Sequence, residues 1–302
     1  MHHPDQSSPA VCIIIVSYNF EPWIRHCLTS ALASSLRTTV LVVDNGSTDA
    51  TREIIRKEYD DVLLIETGEN LGFGRANNIG IRYAMEHGFD YLFLLNQDAW
   101  LESGALEKMV AAAERAGEYG ILSPVHLNGR GDATDHGFRE YTGLRNREEA
   151  ERLAMEVTPY PFINAAMWLL PIGVVSEVGL FAPLFAHYGE DRNYVLRLRQ
   201  RGYKVGVVRD ATGYHDREAR SVSRDQFIYA EFVYFLTEAA NPCYGWAEAV
   251  AYSLLAAFKK ACKALFRGSL SDSGAYLRIA LRLMAKSVAV YRTRKEQRLR
   301  QR

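Results

Sequence analysis

The stretch YLFLLNQDAW, residues 91–100, decides the fold class that the sequence predicts. Its first five residues form an unbroken apolar run, which is typical of a strand covered on both faces. Three polar residues, Asn96, Gln97 and Asp98, follow directly at the end of that run. Asn and Asp favour turns because their side chains hydrogen-bond nearby backbone groups. One strand that ends in polar residues indicates a turn. Several strands that end in this way would indicate a binding site.

Two earlier strands do end alike. VCIIIVSYN closes on Ser17, Tyr18 and Asn19, and TVLVVD closes on Asp44. Helical patterns separate these apolar runs, and the alternation predicts an α/β fold with a parallel sheet and right-handed crossovers. In such sheets, ligands bind beyond the carboxyl ends of the strands. The three polar endings therefore predict a binding cleft along one edge of the sheet.

Composition narrows the class of protein. The chain has 302 residues, and 36 Lys and Arg balance 36 Asp and Glu, so total charge gives no argument for nucleic acid. The four cysteines are widely spaced and form no CxxC pair, which predicts reduced cysteines. The N-terminal MHHPDQSSPA lacks the apolar segment of a signal peptide, and no apolar run is long enough for a transmembrane helix. We expect a cytoplasmic protein, with peripheral contact to the inner face of the cell membrane as an alternative.

Seven motifs in a fixed order carry a resemblance to a known family. They are VSYN, VVDNGSTDAT, NLGFGRANNIGI, LLNQDAW, FINAAMWLLP, VGLFAPLFAHYGEDRNYVLRLRQRGYKV and ATGYH. This order resembles family 2 of the inverting glycosyltransferases with the GT-A fold, and within it the bacterial rhamnosyltransferase-type enzymes. The resemblance covers roughly residues 11 to 220. It implies a Rossmann-like, mostly parallel sheet flanked by helices, and transfer of a sugar from dTDP-rhamnose or a UDP-sugar. The implied acceptor is a glycan or a lipid-linked molecule in bacterial surface polysaccharide synthesis.

The resemblance also sets the expected organisation of the chain. The polar stretch GDATDHGFREYTGLRN is predicted to be a loop or hairpin over the cleft. The expected parts are a disordered N-terminus (1–10), a catalytic domain (11–240) with a nucleotide-sugar half (11–127) and an acceptor half (128–240), and a basic amphipathic helical extension (241–302).

A divalent cation is the first implied cofactor. Cleavage of the anomeric bond develops charge on the departing diphosphate, which Mg²⁺ or Mn²⁺ stabilises as a Lewis acid. These ions prefer oxygen ligands and accept one or two protein carboxylates together with phosphate. In the family, the acidic motif after the fourth strand and a late histidine serve this purpose, which implies Asp98 and His215 as metal ligands. Asn96 replaces the first acid of that motif, which leaves metal dependence open.

The nucleotide contacts are likewise implied by resemblance. A carboxylate at Asp44 accepts hydrogen bonds from ribose or from a pyrimidine N–H, although a capping role in the next helix is the alternative. The loop NLGFGRANNIG is not a GxGxxG motif, and we expect it to pack against base and ribose. For Ser17, Tyr18 and Asn19 the alternative is a plain strand-to-helix turn, and for the loop it is a helix entry with Asn caps. The expected contacts are Ser17, Tyr18, Asn19, Asp44, Asn70, Gly72, Arg75, Asn78 and Asn96.

The acidic pair in GED supplies the expected catalytic residues. In a single displacement, a base removes the proton of the attacking hydroxyl. The resemblance implies Asp191 as that base and Glu190 as a contact to donor or acceptor hydroxyls. Acids also favour a helix N-terminus for electrostatic reasons, which is the alternative. Ala165 and Ala166 are small where the donor sugar needs close backbone approach, and core packing explains them nearly as well.

The C-terminal segment predicts basic amphipathic helices. WAEAVAYSLLAAFKKACKALF, residues 246–266, has an apolar side, and Lys259, Lys260 and Lys263 fall on the other. Such a pattern favours an anionic membrane surface. The alternative is a helical pair that packs on the catalytic domain or on a partner subunit.

Two other functions remain open at this point. A nucleotidyltransferase shares the cleft at the strand ends, but it needs a basic phosphate-binding loop near the N-terminus, where residues 17–25 offer only Arg25. A catalytically silent nucleotide-sugar-binding or scaffold protein is favoured by Asn96. The presence of Asp98 and Asp191 argues against it. Nucleic acid is not an expected partner.

Overall fold

The computed structural model describes residues 8–217 and 223–299. The expectation of disorder for residues 1–7, and the basic end at 300–302, lie outside this range. The described residues form two compact units, one made of residues up to Leu180 with those from Gly202 to 217, the other of Phe181–Arg201 with 223–299. The functional halves expected at 11–127 and 128–240 stay predictions, because compactness does not report on function.

The first unit alternates strands and helices. Its strands are β1 (Ala10–Ser17), β2 (Arg37–Asp44), β3 (Val62–Glu66), β4 (Tyr91–Asn96), β5 (Ala99–Leu101), β6 (Tyr119–Asn128), β7 (Val157–Tyr160), β8 (Met167–Pro171) and β9 (Lys204–His215). Its helices are α1 (Ile24–Leu32), α2 (Thr51–Glu58), α3 (Phe73–Glu86), α4 (Ala105–Arg115), α5 (His136–Thr142), α6 (Arg147–Glu151) and α7 (Ile172–Val178).

These strands form one mixed sheet. Within the described residues its order is β3-β2-β1-β4-β8-β6-β9-β5, and β7 pairs with β9. The first half, from β3 to β4, is parallel throughout, while β8 joins β4 and β6 in antiparallel fashion. The predicted α/β fold is therefore confirmed.

Side-chain alternation places the core on both faces of the central strands. Val11, Ile13 and Ile15 of β1 are buried in one apolar cluster, in which Ile24 and Leu28 of α1 also lie. The intervening Ile14 meets the opposite layer, where α3 crosses β1. A Cβ atom added at Gly80 would lie 2.5 Å from Cγ2 of Ile14, so only glycine permits this close approach of α3 to β1.

The register of the parallel strands brings their polar endings together. Ser17 pairs with Asp44, and Val16 pairs with Asn96. The expectation that three strands end at one edge is confirmed.

Two local expectations differ from the structure. Ala10, expected in the N-terminal tail, is the first residue of β1, and its N–H donates to Oδ2 of Asp90 at 2.7 Å. The stretch predicted as a loop or hairpin contains helix α5, since Oδ1 of Asp135 accepts a hydrogen bond from the N–H of Phe138 and caps a helical turn. The polar composition of this stretch did not indicate the short helix.

The second unit is helical. Its helices are α8 (Glu190–Gln200), α9 (Arg224–Ala239), α10 (Trp246–Phe266) and α11 (Leu270–Leu299). Its apolar core joins Phe232 and Leu236 of α9 with Ala257 of α10 and with Ile279 and Leu283 of α11. The predicted helix over 246–266 is confirmed. Among the residues that the structure describes, no helix is both long and apolar enough to cross a membrane.

Candidate active site

Asp44 ends β2 as a buried carboxylate held by its neighbours. Its Oδ2 accepts a hydrogen bond from Oγ of Ser17 at 3.0 Å, and its Oδ1 accepts one from the N–H of Ser47 at 3.1 Å. Nε of Arg52 lies 3.9 Å from Oδ1. Asp44 does not cap the following helix, because the N-cap residue of α2 is Ala50. Asp44 thus fixes the turn between the ends of β1 and β2.

Tyr18 and Asn19 connect three strand ends. Asn19 has a φ of 51°, and its Oδ1 accepts a hydrogen bond from the N–H of Thr48 at 2.9 Å. The N–H of Tyr18 donates to Oε1 of Gln97 at 2.7 Å, and Nε2 of Gln97 donates back to the carbonyl of Tyr18 at 3.2 Å. The ends of β1, β2 and β4 are therefore tied together by side-chain hydrogen bonds, while the Tyr18 ring stays exposed.

The loop before α3 is fastened to the end of β2. Nδ2 of Asn45 donates to Oδ1 of Asn70 at 3.0 Å, and Oδ1 of Asn45 accepts the N–H of Leu71 at 2.8 Å. Gly72 enters the helix with a φ of 82°, a left-handed value that glycine adopts without strain. Two further expected contacts follow on α3, where Arg75 is exposed and Asn78 is buried.

Asp98 and His215 meet where β4 gives way to β5. The short β5 was not predicted, and it pairs antiparallel with the last residues of β9, so that Ala99 stands opposite His215. Nε2 of His215 lies 3.3 Å from Oδ1 of Asp98. Both side chains are almost fully buried, with exposed residue fractions of 1% and 4%. Nδ2 of Asn96 lies 3.5 Å from the same imidazole nitrogen.

Asp135 is a site residue that sequence reasoning missed. Its Oδ2 lies 3.7 Å from Nδ1 of His215 and 3.0 Å from Nε of Arg217. Burial raises the pKa of the Asp135 carboxyl, but the charges of His215 and Arg217 and the hydrogen bond from Phe138 outweigh it and hold the pKa below its usual range. The helix-capping pattern in TDHG could have revealed the cap, but not its nearness to His215.

A second buried histidine, His126, lies next to His215. His126 on β6 is buried, its ring centroid lies 6.4 Å from that of His215, and Nε2 lies 2.8 Å from Oγ of Ser123. Burial, and then the nearby His215, lower the pKa of His126 to about 3. His126 is therefore neutral at physiological pH and adds no positive charge beside His215.

The donor set fits a divalent cation with few protein ligands. In the described part of the chain, no group of three or more His, Cys, Asp or Glu side chains is arranged to hold a metal. Asp98 and His215 alone offer one carboxylate and one imidazole nitrogen, which suits an ion completed by phosphate oxygens and water. Asp135 lies 3.7 Å from Nδ1 of His215, on the side from which a carboxylate often orients a metal-binding histidine.

The two small residues assigned to the donor sugar lie next to this strand end. Ala165 and Ala166 are both buried, and the carbonyl of Ala166 accepts a hydrogen bond from the N–H of Asn96 at 2.8 Å. The structure thus brings Ala166 to Asn96, and a contact with sugar stays a prediction.

Glu190 and Asp191 open α8 in the second unit. Gly189 precedes them with a φ of 83° as the N-cap. Glu190 is buried, and burial together with the charge of Asp191 raises its pKa to about 8. Asp191 is only partly buried, and its Oδ1 accepts a hydrogen bond from the N–H of Arg192 at 2.7 Å. The helix N-terminus predicted for this pair is confirmed.

Solved structures share this fold. The chain aligns with Staphylococcus aureus TarS 1–349 in complex with UDP-GlcNAc at a TM-score of 0.59 and 15% identity, over 97% of this chain and 88% of that one. It aligns with the mannosyltransferase PcManGT from Pyrobaculum calidifontis, in complex with GDP-Man and Mn²⁺, at a TM-score of 0.54 and 17% identity, over 95% and 89%. The fold is that of the GT-A glycosyltransferases.

Sequence comparison identifies the family. The model of glycosyl transferase family 2 matches residues 12–178. A curated relative, the N-acetylglucosaminyl-diphospho-decaprenol L-rhamnosyltransferase of Mycobacterium tuberculosis, is 26% identical over 239 residues, which cover 70% of this chain and 78% of that protein. The chain belongs to glycosyl transferase family 2 and is related to rhamnosyltransferases. It is therefore a glycosyltransferase, as the sequence predicts.

Proposed function

We propose that this enzyme transfers a sugar from a nucleoside-diphosphate donor, dTDP-rhamnose or a UDP-sugar, to a glycan or lipid-linked acceptor in bacterial surface polysaccharide synthesis. The observation that carries the proposal is the buried pair of Asp98 and His215 at the strand ends. The name of the mycobacterial relative supports a lipid-linked acceptor and a rhamnosyl donor. Peripheral membrane contact through residues 246–302 belongs to the same proposal.

The diphosphate of the donor is proposed to lie at Asp98 and His215. Mg²⁺ or Mn²⁺ held there would supply Lewis-acid stabilisation of the charge that develops on the leaving group. Asn96 contributes an amide where the family has an acid, so it orients ribose or diphosphate by hydrogen bonding without adding charge. Asp44, Ser17, Tyr18 and Asn19 are proposed to line the nucleoside pocket. The remaining proposed nucleotide contacts are Asn70, Gly72, Arg75 and Asn78, and the proposed sugar contacts are Ala165 and Ala166.

Asp191 is proposed as the base. It takes the proton of the acceptor hydroxyl while that oxygen bonds to the anomeric carbon, and the bond to the diphosphate breaks with its electron pair leaving on the diphosphate. Glu190 suits this role less well, because a carboxyl with a pKa of about 8 keeps its proton at pH 7. A protonated Glu190 instead donates a hydrogen bond to a sugar hydroxyl.

Asp191→Asn tests the role of the base. The measurement is release of nucleoside diphosphate from dTDP-rhamnose and from UDP-sugars, with a lipid-linked acceptor. We expect kcat to fall at least about 100-fold, in the range of general-base catalysis, while nucleotide affinity is unchanged. Asp210→Asn, which changes an exposed carboxylate of the first unit, is the control, and it should retain the parent rate. Turnover by Asp191→Asn at the parent rate would contradict the assignment.

A further inference from the structure

Helix α10 buries its small residues and exposes its large ones. Ala249, Ser253, Ala257, Ala261 and Ala264 form its buried face. In a helix of a globular protein, the large apolar residues normally face the core. Most large apolar side chains of α10 are instead exposed to solvent, above all Phe266 with an exposed fraction of 91%, while Leu254 packs against the core. The exposed residues are Trp246, Tyr252, Leu255, Phe258, Leu265 and Phe266.

Helix α11 carries a second exposed apolar stripe. Ile279, Leu283 and Val290 are buried in the core of the second unit. A separate set recurs at spacings of three and four residues along the exposed side, which is the spacing of one helix face. Those residues are Leu277, Leu281, Met284, Val288 and Tyr291. The rings of Trp246 and Tyr291 lie 5.5 Å apart, so the two stripes meet at that end of the hairpin.

The turn between the two helices joins these stripes. Leu265, Phe266 and Leu270 are all exposed around it, and Gly268 makes the turn with a φ of 79°. We name the exposed apolar residues of α10, of this turn and of α11 the hairpin face. An exposed apolar surface made of this many large side chains marks an interaction site.

The charge around the hairpin face selects the partner. From 249 to 295 the sequence holds ten Lys and Arg and a single acid, Asp272. Of the ten, Arg294 is buried and Lys260 pairs with Glu231, so eight basic residues remain. Arg224 of α9 pairs with Asp272, which leaves the surroundings of the turn strongly basic. Two copies of this chain joined through the hairpin face would bring two basic surfaces together, which costs free energy through like-charge repulsion. An anionic phospholipid surface offers both the hydrocarbon and the opposite charge.

We propose that the hairpin face binds an anionic phospholipid bilayer, with Phe266 and its neighbours at the turn inserted among the acyl chains. Lys259, Lys263 and Arg267 lie close along the chain to these apolar residues and contact the lipid head groups. The idea that the bilayer brings the enzyme to a lipid-linked acceptor rests on the proposed function. The lipid-binding surface itself follows from exposure and charge, independently of the sugar-transfer reaction.

Vesicle co-sedimentation of the full chain tests the inference without any sugar donor. Vesicles of phosphatidylcholine are compared with vesicles containing about 30% phosphatidylglycerol. We expect binding to the anionic vesicles at least about tenfold tighter than to the neutral ones, because each basic residue near the surface adds to the attraction. Added salt should weaken it.

Matched variants separate insertion from general apolar exposure. Phe258→Asp with Phe266→Asp should lower the affinity for anionic vesicles about tenfold or more, since both the apolar contact and the charge balance are lost. Met155→Asp is the control, because Met155 is exposed to 54% and Phe258 to 55%, and it should bind as the parent does. Lys259→Glu with Lys263→Glu should abolish the preference for anionic lipid.

Several results would overturn the inference. Equal binding to neutral and anionic vesicles would refute the charge selection, and no binding to either would refute the lipid surface. A dimer in analytical ultracentrifugation that Leu281→Asp dissociates would assign the hairpin face to a second copy. Nucleotide titration of the same samples reports on the proposed donor site separately, so failure of lipid binding and failure of the proposed sugar transfer are distinguishable.

Discussion

Oδ1 of Asp98 lies 3.3 Å from Nε2 of His215, although 116 residues separate them in the chain. Their meeting depends on the antiparallel pairing of β5 with the end of β9. The parallel strands β1, β2 and β4 end nearby at Ser17, Asp44 and Asn96. The site is thus assembled where the parallel and antiparallel parts of one sheet adjoin, which is the kind of place where α/β proteins bind ligands.

We expect Asp135 to position His215, and Asp135→Asn tests this. Asparagine also caps helices, so α5 should be retained, while the charge facing Nδ1 of His215 is lost. We expect Mn²⁺ affinity in the presence of nucleoside diphosphate, measured by electron paramagnetic resonance, to fall about 10- to 100-fold. Asp132→Asn, an exposed carboxylate on the same unit, is the control and should bind Mn²⁺ as the parent does. Unchanged Mn²⁺ affinity in Asp135→Asn would contradict the positioning role.

Glu190 should make stability depend on pH. Its pKa is raised to about 8 from 4.5, so the folded protein holds a proton there that the unfolded chain releases. The free energy of unfolding should therefore be highest below about pH 4.5. It should fall as pH rises from there through about 8, where the proton is lost from the folded protein too. Glu190→Gln removes this group, and we expect its thermal midpoint to decline less between pH 5 and 8 in calorimetry. Identical declines in parent and variant would show that Glu190 ionises normally.

Gly80 should be intolerant of a side chain. The added Cβ of Gly80→Ala would lie 2.5 Å from Cγ2 of the fully buried Ile14, so α3 has to move away from β1. We expect a loss of about 1–3 kcal/mol in the free energy of unfolding, the range of overpacked cores, measured by urea denaturation. Gly173→Ala on α7 is the control, because a Cβ there meets no atom within 4 Å. A destabilisation of Gly173→Ala equal to that of Gly80→Ala would contradict the packing argument.

The sequence reveals the sheet and the strand-end residues because both follow from local patterns. Apolar runs identify β1, β2 and β4, and parallel connection then brings Ser17, Asp44 and Asn96 to one edge. Asp135 could not be found in this way, because its approach to His215 depends on how β6, α5 and β9 pack.

The C-terminal helices show the same limit. Amphipathic periodicity predicts α10 correctly, yet it does not say which face is buried. Small residues such as Ala257 allow close helix packing and fill the core, which leaves Phe258 and Phe266 exposed. That choice is made by the packing between helices, and hydropathy along the chain does not record it.

Calorimetric titration with nucleotides tests the donor site most directly. The purified protein is titrated with UDP, dTDP, GDP and ADP, with and without Mn²⁺, and the series is repeated on Asp98→Ala. The account predicts that one pyrimidine nucleoside diphosphate binds in a Mn²⁺-dependent manner and that Asp98→Ala loses this dependence. Binding that ignores Mn²⁺ in the parent would contradict the role of Asp98 and His215, and folded protein that binds no nucleotide would contradict the proposed donor site altogether.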